Sequence, residues 1–127
     1  VKSPVEKIIL VRVYHDGPVT GLSGDRRRAH YFEAPFDDDI DEYSDLYKVL
    51  KLNENQQSLF DELFDNNQLS RYSKSSELNE LFALIDAELK EKSQIDDHRF
   101  RVCRPNFIVY KGGSTGSYTV EWEDVNP

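Results

Sequence analysis

Between His30 and Tyr47 the chain reads HYFEAPFDDDIDEYSDLY, and no other stretch limits the fold as much. Seven carboxylates (Glu33, Asp37, Asp38, Asp39, Asp41, Glu42 and Asp45) stand in it without a single Lys or Arg. Carboxylates this dense cannot share a core, where each charge would need its own partner, so the run has to lie outside one. Ile40, Tyr43, Leu46 and Tyr47 are at the same time too apolar for a disordered acidic tract. The expectation is an ordered, exposed, negatively charged segment pinned to a body by its aromatic residues.

The body has to come from the flanks. Val5 to Tyr14 (VEKIILVRVY) is a β-branched apolar run bounded by Pro4 and by His15-Asp16-Gly17-Pro18, which reads as a central strand. Strict alternation would place Ile9, Val11 and Val13 on one face, with Ile8, Leu10, Arg12 and Tyr14 on the other. The following GPVTGLSGD holds three glycines and a proline, so Gly17 to Gly24 reads as a loop. Ala29 to Glu33 then reads as a second strand, simplest as the antiparallel neighbour of the first.

The run YHDGPVTGLS followed by HYFEAPFDDDIDEYSDLY resembles the amino-terminal half of a group of small uncharacterised bacterial proteins. In that group a strand ending in a Tyr-Asp-Gly-Pro turn precedes an aromatic-acidic segment. The likeness covers about residues 8 to 50, and the tryptophans of the group's first helix are missing here. No activity is known for the group, so the resemblance implies none.

Past the acidic run the apolar period changes from that of strands to that of helices. Asn53 is a good N-cap, and Gln56 three residues on can complete a capping box. Leu59, Phe60, Leu63 and Phe64 then form an apolar stripe that ends near Asn66 and Asn67. Ser75 or Ser76 caps a second helix carrying Leu78, Leu81, Phe82, Ile85 and Leu89, with Lys90 and Lys92 complementing its C-terminal dipole. Strand character returns in Arg99 to Val102, is interrupted at Pro105, and resumes in Phe107 to Tyr110. GGSTGS turns the chain into Tyr118 to Asp124, and placing Lys111 opposite Tyr118 sets Val109 against Val120 and Phe107 against Trp122. The order β-β-α-α-β-β predicts one α+β domain over 1-127, with an antiparallel sheet of about four strands and two helices on one face.

Charge and cysteine usage narrow the function classes. A net charge of -8 on 127 residues repels nucleic acid and anionic membranes and favours a basic protein partner. The single cysteine, Cys103, cannot form an internal disulfide. No apolar run nears the roughly 18 residues that span a bilayer. The start VKSPVEK matches neither a signal nor a transit peptide, so a soluble cytoplasmic protein is expected.

Chemistry-bearing patterns are weak. Asp37, Asp39 and Asp41 have the opening spacing of a calcium loop, but Glu42 stands where its glycine belongs and Lys48 where its bidentate glutamate belongs. No metal and no cofactor is therefore expected. His15, His30 and His98 share no ligand spacing, and Cys103 has no nearby histidine at a spacing that implies an adjacent pair, which leaves no catalytic residue to name. GGSTGS lacks the lysine and the following helix of a phosphate loop. A nuclease built on Asp37 with Glu88-Leu89-Lys90 would need that triplet on a strand, not a helix.

Three functions remain open. The first is a non-enzymatic interaction protein, such as an immunity protein or inhibitor of a nucleic-acid-acting toxin. It would bind a basic partner through Glu33, Asp37, Asp38, Asp39, Asp41, Glu42, Tyr43, Asp45 and Tyr47. The second is a small metal-assisted hydrolase using Asp37, Asp39 and His98. The third is an accessory domain without activity of its own.

Overall fold

The elements in chain order are β1 (Glu6–Tyr14), β2 (Pro18–Gly24), β3 (Ala29–Glu33), β4 (Phe36–Asp37), β5 (Glu42–Tyr43), β6 (Tyr47–Lys51), α1 (Glu54–Asp65), α2 (Ser76–Lys90), β7 (Phe100–Val109) and β8 (Tyr118–Asp124). The structure is a computed structural model that describes residues 5–14, 18–25, 27–65, 76–91, 99–109 and 118–125. Six strands close an antiparallel barrel in the order β1-β2-β3-β6-β7-β8, while β4 and β5 form a separate two-stranded hairpin. The expected α+β domain, a four-stranded sheet with helices on one face, is thereby overturned.

The decisive difference lies at Pro18–Gly24, which the glycines mark as a loop and which is instead β2, paired on both sides. A Cβ on Gly21 would run into the Leu10 carbonyl and press on the Phe32 ring, so glycine lets β1 close against β2 there. Gly24 has φ +110 and starts a tight return in which Asp25 Oδ1 accepts the amides of Arg27 and Arg28 at 2.8 and 2.9 Å. The antiparallel neighbour of β3 is accordingly β2, from Thr20↔Glu33 to Gly24↔Ala29, and not β1.

Register irregularities in β1 also defeat simple alternation. The ladder to β2 shifts between Ile8 and Leu10 and again between Val11 and Val13. A bulge moves every following side chain to the other face. Ile8 and Val11 therefore both face the interior, with Leu10 outside under the helices. In the β7–β8 ladder the observed pairs are Val109↔Tyr118, Phe107↔Val120 and Pro105↔Trp122, two residues away from the expected register. The faces survive because the slip is even. β7 also runs through Pro105 without interruption.

Closing the sheet gives it two apolar layers. Val19, Phe32, Tyr47, Val49, Val120 and Trp122 fill the barrel, and Trp122 contacts Phe32 and Tyr47 at ring-centroid distances of 5.4 and 5.6 Å. Leu22, Tyr31 and Leu50 on the outer wall meet Phe60, Leu81, Phe82 and Ile85 of the helices. This double use is why β2 and β3 are buried on both faces.

The helices are as the periodicity predicts. Asn53 Oδ1 accepts the Gln56 amide at 2.8 Å, and Gln56 Oε1 accepts the Asn53 amide at 2.9 Å, completing the capping box. Phe60 and Leu63 of α1 are buried, as are Leu78, Leu81, Phe82 and Ile85 of α2, whereas Phe64 is exposed. Arg12 clamps α2 to the barrel: it pairs with both Asp86 oxygens at 2.9 and 3.1 Å, lies 4.6 Å over the Phe82 ring and reaches Tyr31. Glu88 joins the other end, accepting from Arg99 at 2.6 and 2.8 Å and from Gln56 and Asn53. Its triplet Glu88-Leu89-Lys90 thus serves packing between α1, α2 and the start of β7. His15, Asn66, Asn67, Ser75, Lys92, His98, Lys111 and the GGSTGS turn lie outside the described residues.

Candidate functional site

The acidic run leaves the barrel between β3 and β6 and folds back on itself as the β4–β5 hairpin, with Phe36 opposite Tyr43 and Asp37 opposite Glu42. Local chemistry accounts for the turn. The Asp39 amide donates to Asp37 Oδ1 at 3.0 Å, the aspartate's usual way of bending its own backbone. Asp41 takes φ 55, a left-handed conformation that aspartate tolerates better than most residues. The Ser44 amide donates to the Pro35 carbonyl at 2.8 Å and closes the base, and the Ala34 amide ties the stem to Val19 O at 2.9 Å. Across the hairpin the Phe36 and Tyr43 rings meet edge-on at 5.0 Å, and Tyr43 packs against the barrel's interior cluster.

Not every sequence candidate belongs to this surface. Asp37, Asp38, Asp39, Asp41, Glu42 and Asp45 are exposed on or beside the hairpin, and Tyr43 is its half-buried root. Glu33 stays in the barrel wall opposite Lys48 and accepts the Tyr31 hydroxyl at 3.1 Å. Tyr47 is inside the barrel, its hydroxyl donating to Pro18 O at 2.7 Å, and burial pushes that hydroxyl's pKa up to about 12. The residues missed by sequence reasoning are the exposed apolar ones: Phe36 is 45% and Ile40 60% accessible amid the carboxylates. Their signal was there, an aromatic and a β-branched residue standing directly against a run of aspartates. An open pocket of about 470 Å³ beside the hairpin is lined by Pro35, Phe36, Asp37, Asp38, Asp39 and Ser44. Three carboxylates and a ring edge are a chemical match for a Lys or Arg side chain.

Two other polar regions behave differently. In the barrel wall Glu6 Oε1 accepts the Ser23 hydroxyl at 2.8 Å, and its Oε2 lies 3.2 Å from His30 Nδ1. That last contact is close yet out of line for a hydrogen bond, since His30 Nδ1 is otherwise unsatisfied. Burial works to raise the Glu6 pKa, but His30, Ser23 and Arg101 outweigh it and hold the carboxyl below its ordinary range. Asp124 pairs with Arg101 at 3.0 Å and accepts the Cys103 thiol at 3.3 Å. Burial, reinforced by that hydrogen bond, pushes the thiol up to about 12, the direction that disfavours the reactive thiolate. The cluster acts as a polar floor under Trp122, whose Nε1 reaches Ser23 at 3.4 Å.

A larger pocket, about 700 Å³, opens beside the start of α1 and includes Arg27, Lys51, Arg99, Glu54 and Asp61. Arg99 is committed to Glu88 and to Lys51 O, and the rest of the lining carries both signs, Arg27 and Lys51 with Glu54 and Asp61. Among the described residues, no three His, Cys, Asp or Glu side chains gather as a metal site. In comparisons with known proteins, no family model, no curated protein and no solved structure matches the chain.

Proposed function

We propose that this chain is a non-enzymatic interaction protein that presents its acidic hairpin to a basic surface on another protein. An inhibitor that occludes a nucleic-acid-binding groove is the form this reading takes. The observation that carries it is the hairpin itself, an ordered element outside the barrel ladder that exposes Phe36 and Ile40 within a ring of carboxylates. Such a combination supplies both halves of a protein interface, apolar anchors for residence and charge for steering. The overall charge of -8 adds to the same long-range attraction. An acidic partner would meet repulsion before contact.

The test compares the wild-type chain with Asp37→Asn/Asp39→Asn/Asp41→Asn as tagged baits in native lysate at low and high salt. A stoichiometric basic partner is expected on the wild type at low salt, released by salt and lost from the variant. Equal retention by both baits removes the hairpin from the interface.

A further inference from the structure

β7 is ten residues long, while its neighbour β6 has five. Their ladder runs only from Phe100 to Cys103. Leu46 would be the next residue opposite Arg104, but there the chain has already turned away toward the hairpin. Among the described residues Arg104–Val109 therefore pair with β8 alone, and their other edge borders the space that a longer β6 would have filled. Arg104, Asn106 and Ile108 are exposed on this stretch, Ile108 at 45%. Pro105 gives no backbone donor and is a residue that sheets accept at edges. Natural sheets cover or blunt their open edges, so an edge opening beside an exposed acidic hairpin is a feature to explain.

Charge defines the occupant. On the β8 side Glu123 stands opposite Arg104 and Glu121 opposite Asn106, and the hairpin carboxylates follow from the point where β6 stops. Acidic groups thus flank the edge from both directions, with Arg104 answered by Glu123 across the ladder. We propose that this edge accepts an extended, cation-rich segment of the basic partner as an added strand, its backbone pairing with Arg104–Val109 and its cations meeting the hairpin. This deepens the function proposed above and rests on it. Main-chain pairing supplies affinity and the alternate side chains supply selectivity, as in other cases of strand addition.

The test titrates the isotope-labelled full chain with three synthetic octapeptides and follows backbone amides by NMR. One alternates Lys and Val, one is the same peptide N-methylated at alternate residues to remove ladder donors, and one replaces Lys by Glu. The Lys-Val peptide is expected to shift the amides of Asn106 to Val109 and slow their exchange. Its affinity should fall about tenfold on N-methylation, the loss of one or two net hydrogen bonds. Asp37→Asn/Asp39→Asn/Asp41→Asn should weaken it further and flatten its salt dependence, and Asn106→Lys/Ile108→Lys should abolish it with the fold intact.

If the N-methylated peptide binds as well, and only the hairpin variant weakens it, strand addition is overturned while the hairpin reading stands. If the Glu-Val peptide binds as well as Lys-Val, the cationic occupant is wrong and the hairpin reading falls with it. No binding at millimolar peptide, or edge shifts that follow chain concentration without peptide, also overturns the proposal, the latter by assigning the edge to a second copy.

Discussion

The carboxylates of Asp37, Asp38, Asp39, Asp41 and Glu42 stand exposed on a hairpin outside the barrel ladder, whereas Glu6 and Asp124, on barrel strands, are engaged with His30, Ser23, Arg101 and Cys103. The residue type is the same and the consequence opposite. The barrel carboxylates are held by partners that several strands contribute, so removing the largely buried Glu6 damages the fold. Exposed like charges gain little from their neighbours in the folded chain and are free to act on something else. Stability should therefore map to the barrel and binding to the hairpin, and each prediction below tests that separation.

The largest loss is expected in the barrel interior. Trp122→Ala should cost about 4 kcal/mol by leaving a cavity where Phe32, Tyr47 and Phe107 now pack. On the outer layer Phe82→Ala should cost about 3 kcal/mol. Urea unfolding measures both, and a loss below about 1 kcal/mol at either site would mean that layer is not core.

Glu6→Gln should cost about 2 kcal/mol near neutral pH, because it removes the charge that His30 and Arg101 face. It also has a pH signature. The Glu6 pKa lies lower folded than unfolded, so its contribution is present above the ordinary carboxylate range and is lost as pH falls through the folded value. Glu88, held low chiefly by Arg99, behaves the same way. Unfolding midpoints measured from neutral to acid pH should fall less steeply in Glu6→Gln than in the parent, and parallel curves would exclude Glu6 as a contributor.

Cys103→Ser should cost about 1 kcal/mol, because the smaller hydroxyl can keep the bond to Asp124 but fills the buried site less well than sulfur. The folded wild type should resist thiol reagents until it unfolds, since the thiol is buried and protonated. Rapid labelling of the native protein would show the floor to be open.

The smallest effect on stability belongs to the hairpin. Asp37→Asn/Asp39→Asn/Asp41→Asn should change it by no more than about 0.5 kcal/mol in either direction. Phe36→Ala should be similarly mild for folding yet raise the off-rate from the partner, while the triple Asn change mainly slows association. A hairpin variant that unfolds the barrel would erase the division between hairpin and barrel.

What could be read from the chain alone was local. The Asn53–Gln56 box and the stripe from Leu78 to Ile85 depend on residues three or four apart, and both appear as expected. The exposure of the acidic run followed from its charge density, because no core accommodates that many unpaired carboxylates. The strand pairing of its two arms did not follow, since Phe36 and Tyr43 identify themselves as a cross-strand pair only once the turn between them is known.

The tertiary structure decided everything that rests on distant residues. Gly21 belongs to a strand because Leu10 and Phe32 crowd it, and neither neighbour is marked in the local sequence, where glycine reads as a loop signal. Together with Tyr47–Lys51, a strand that the reading of the acidic segment also missed, that assignment turns the four expected strands into a closed six-stranded barrel. Barrel closure then brings Glu6, His30, Cys103 and Asp124 together from four strands, and leaves part of β7 open beside the hairpin. Helix caps and charge density act over a few residues and are written in the sequence. Closure depends on the simultaneous register of six strands, which the fold as a whole selects by burying one set of side chains inside and another beneath the helices.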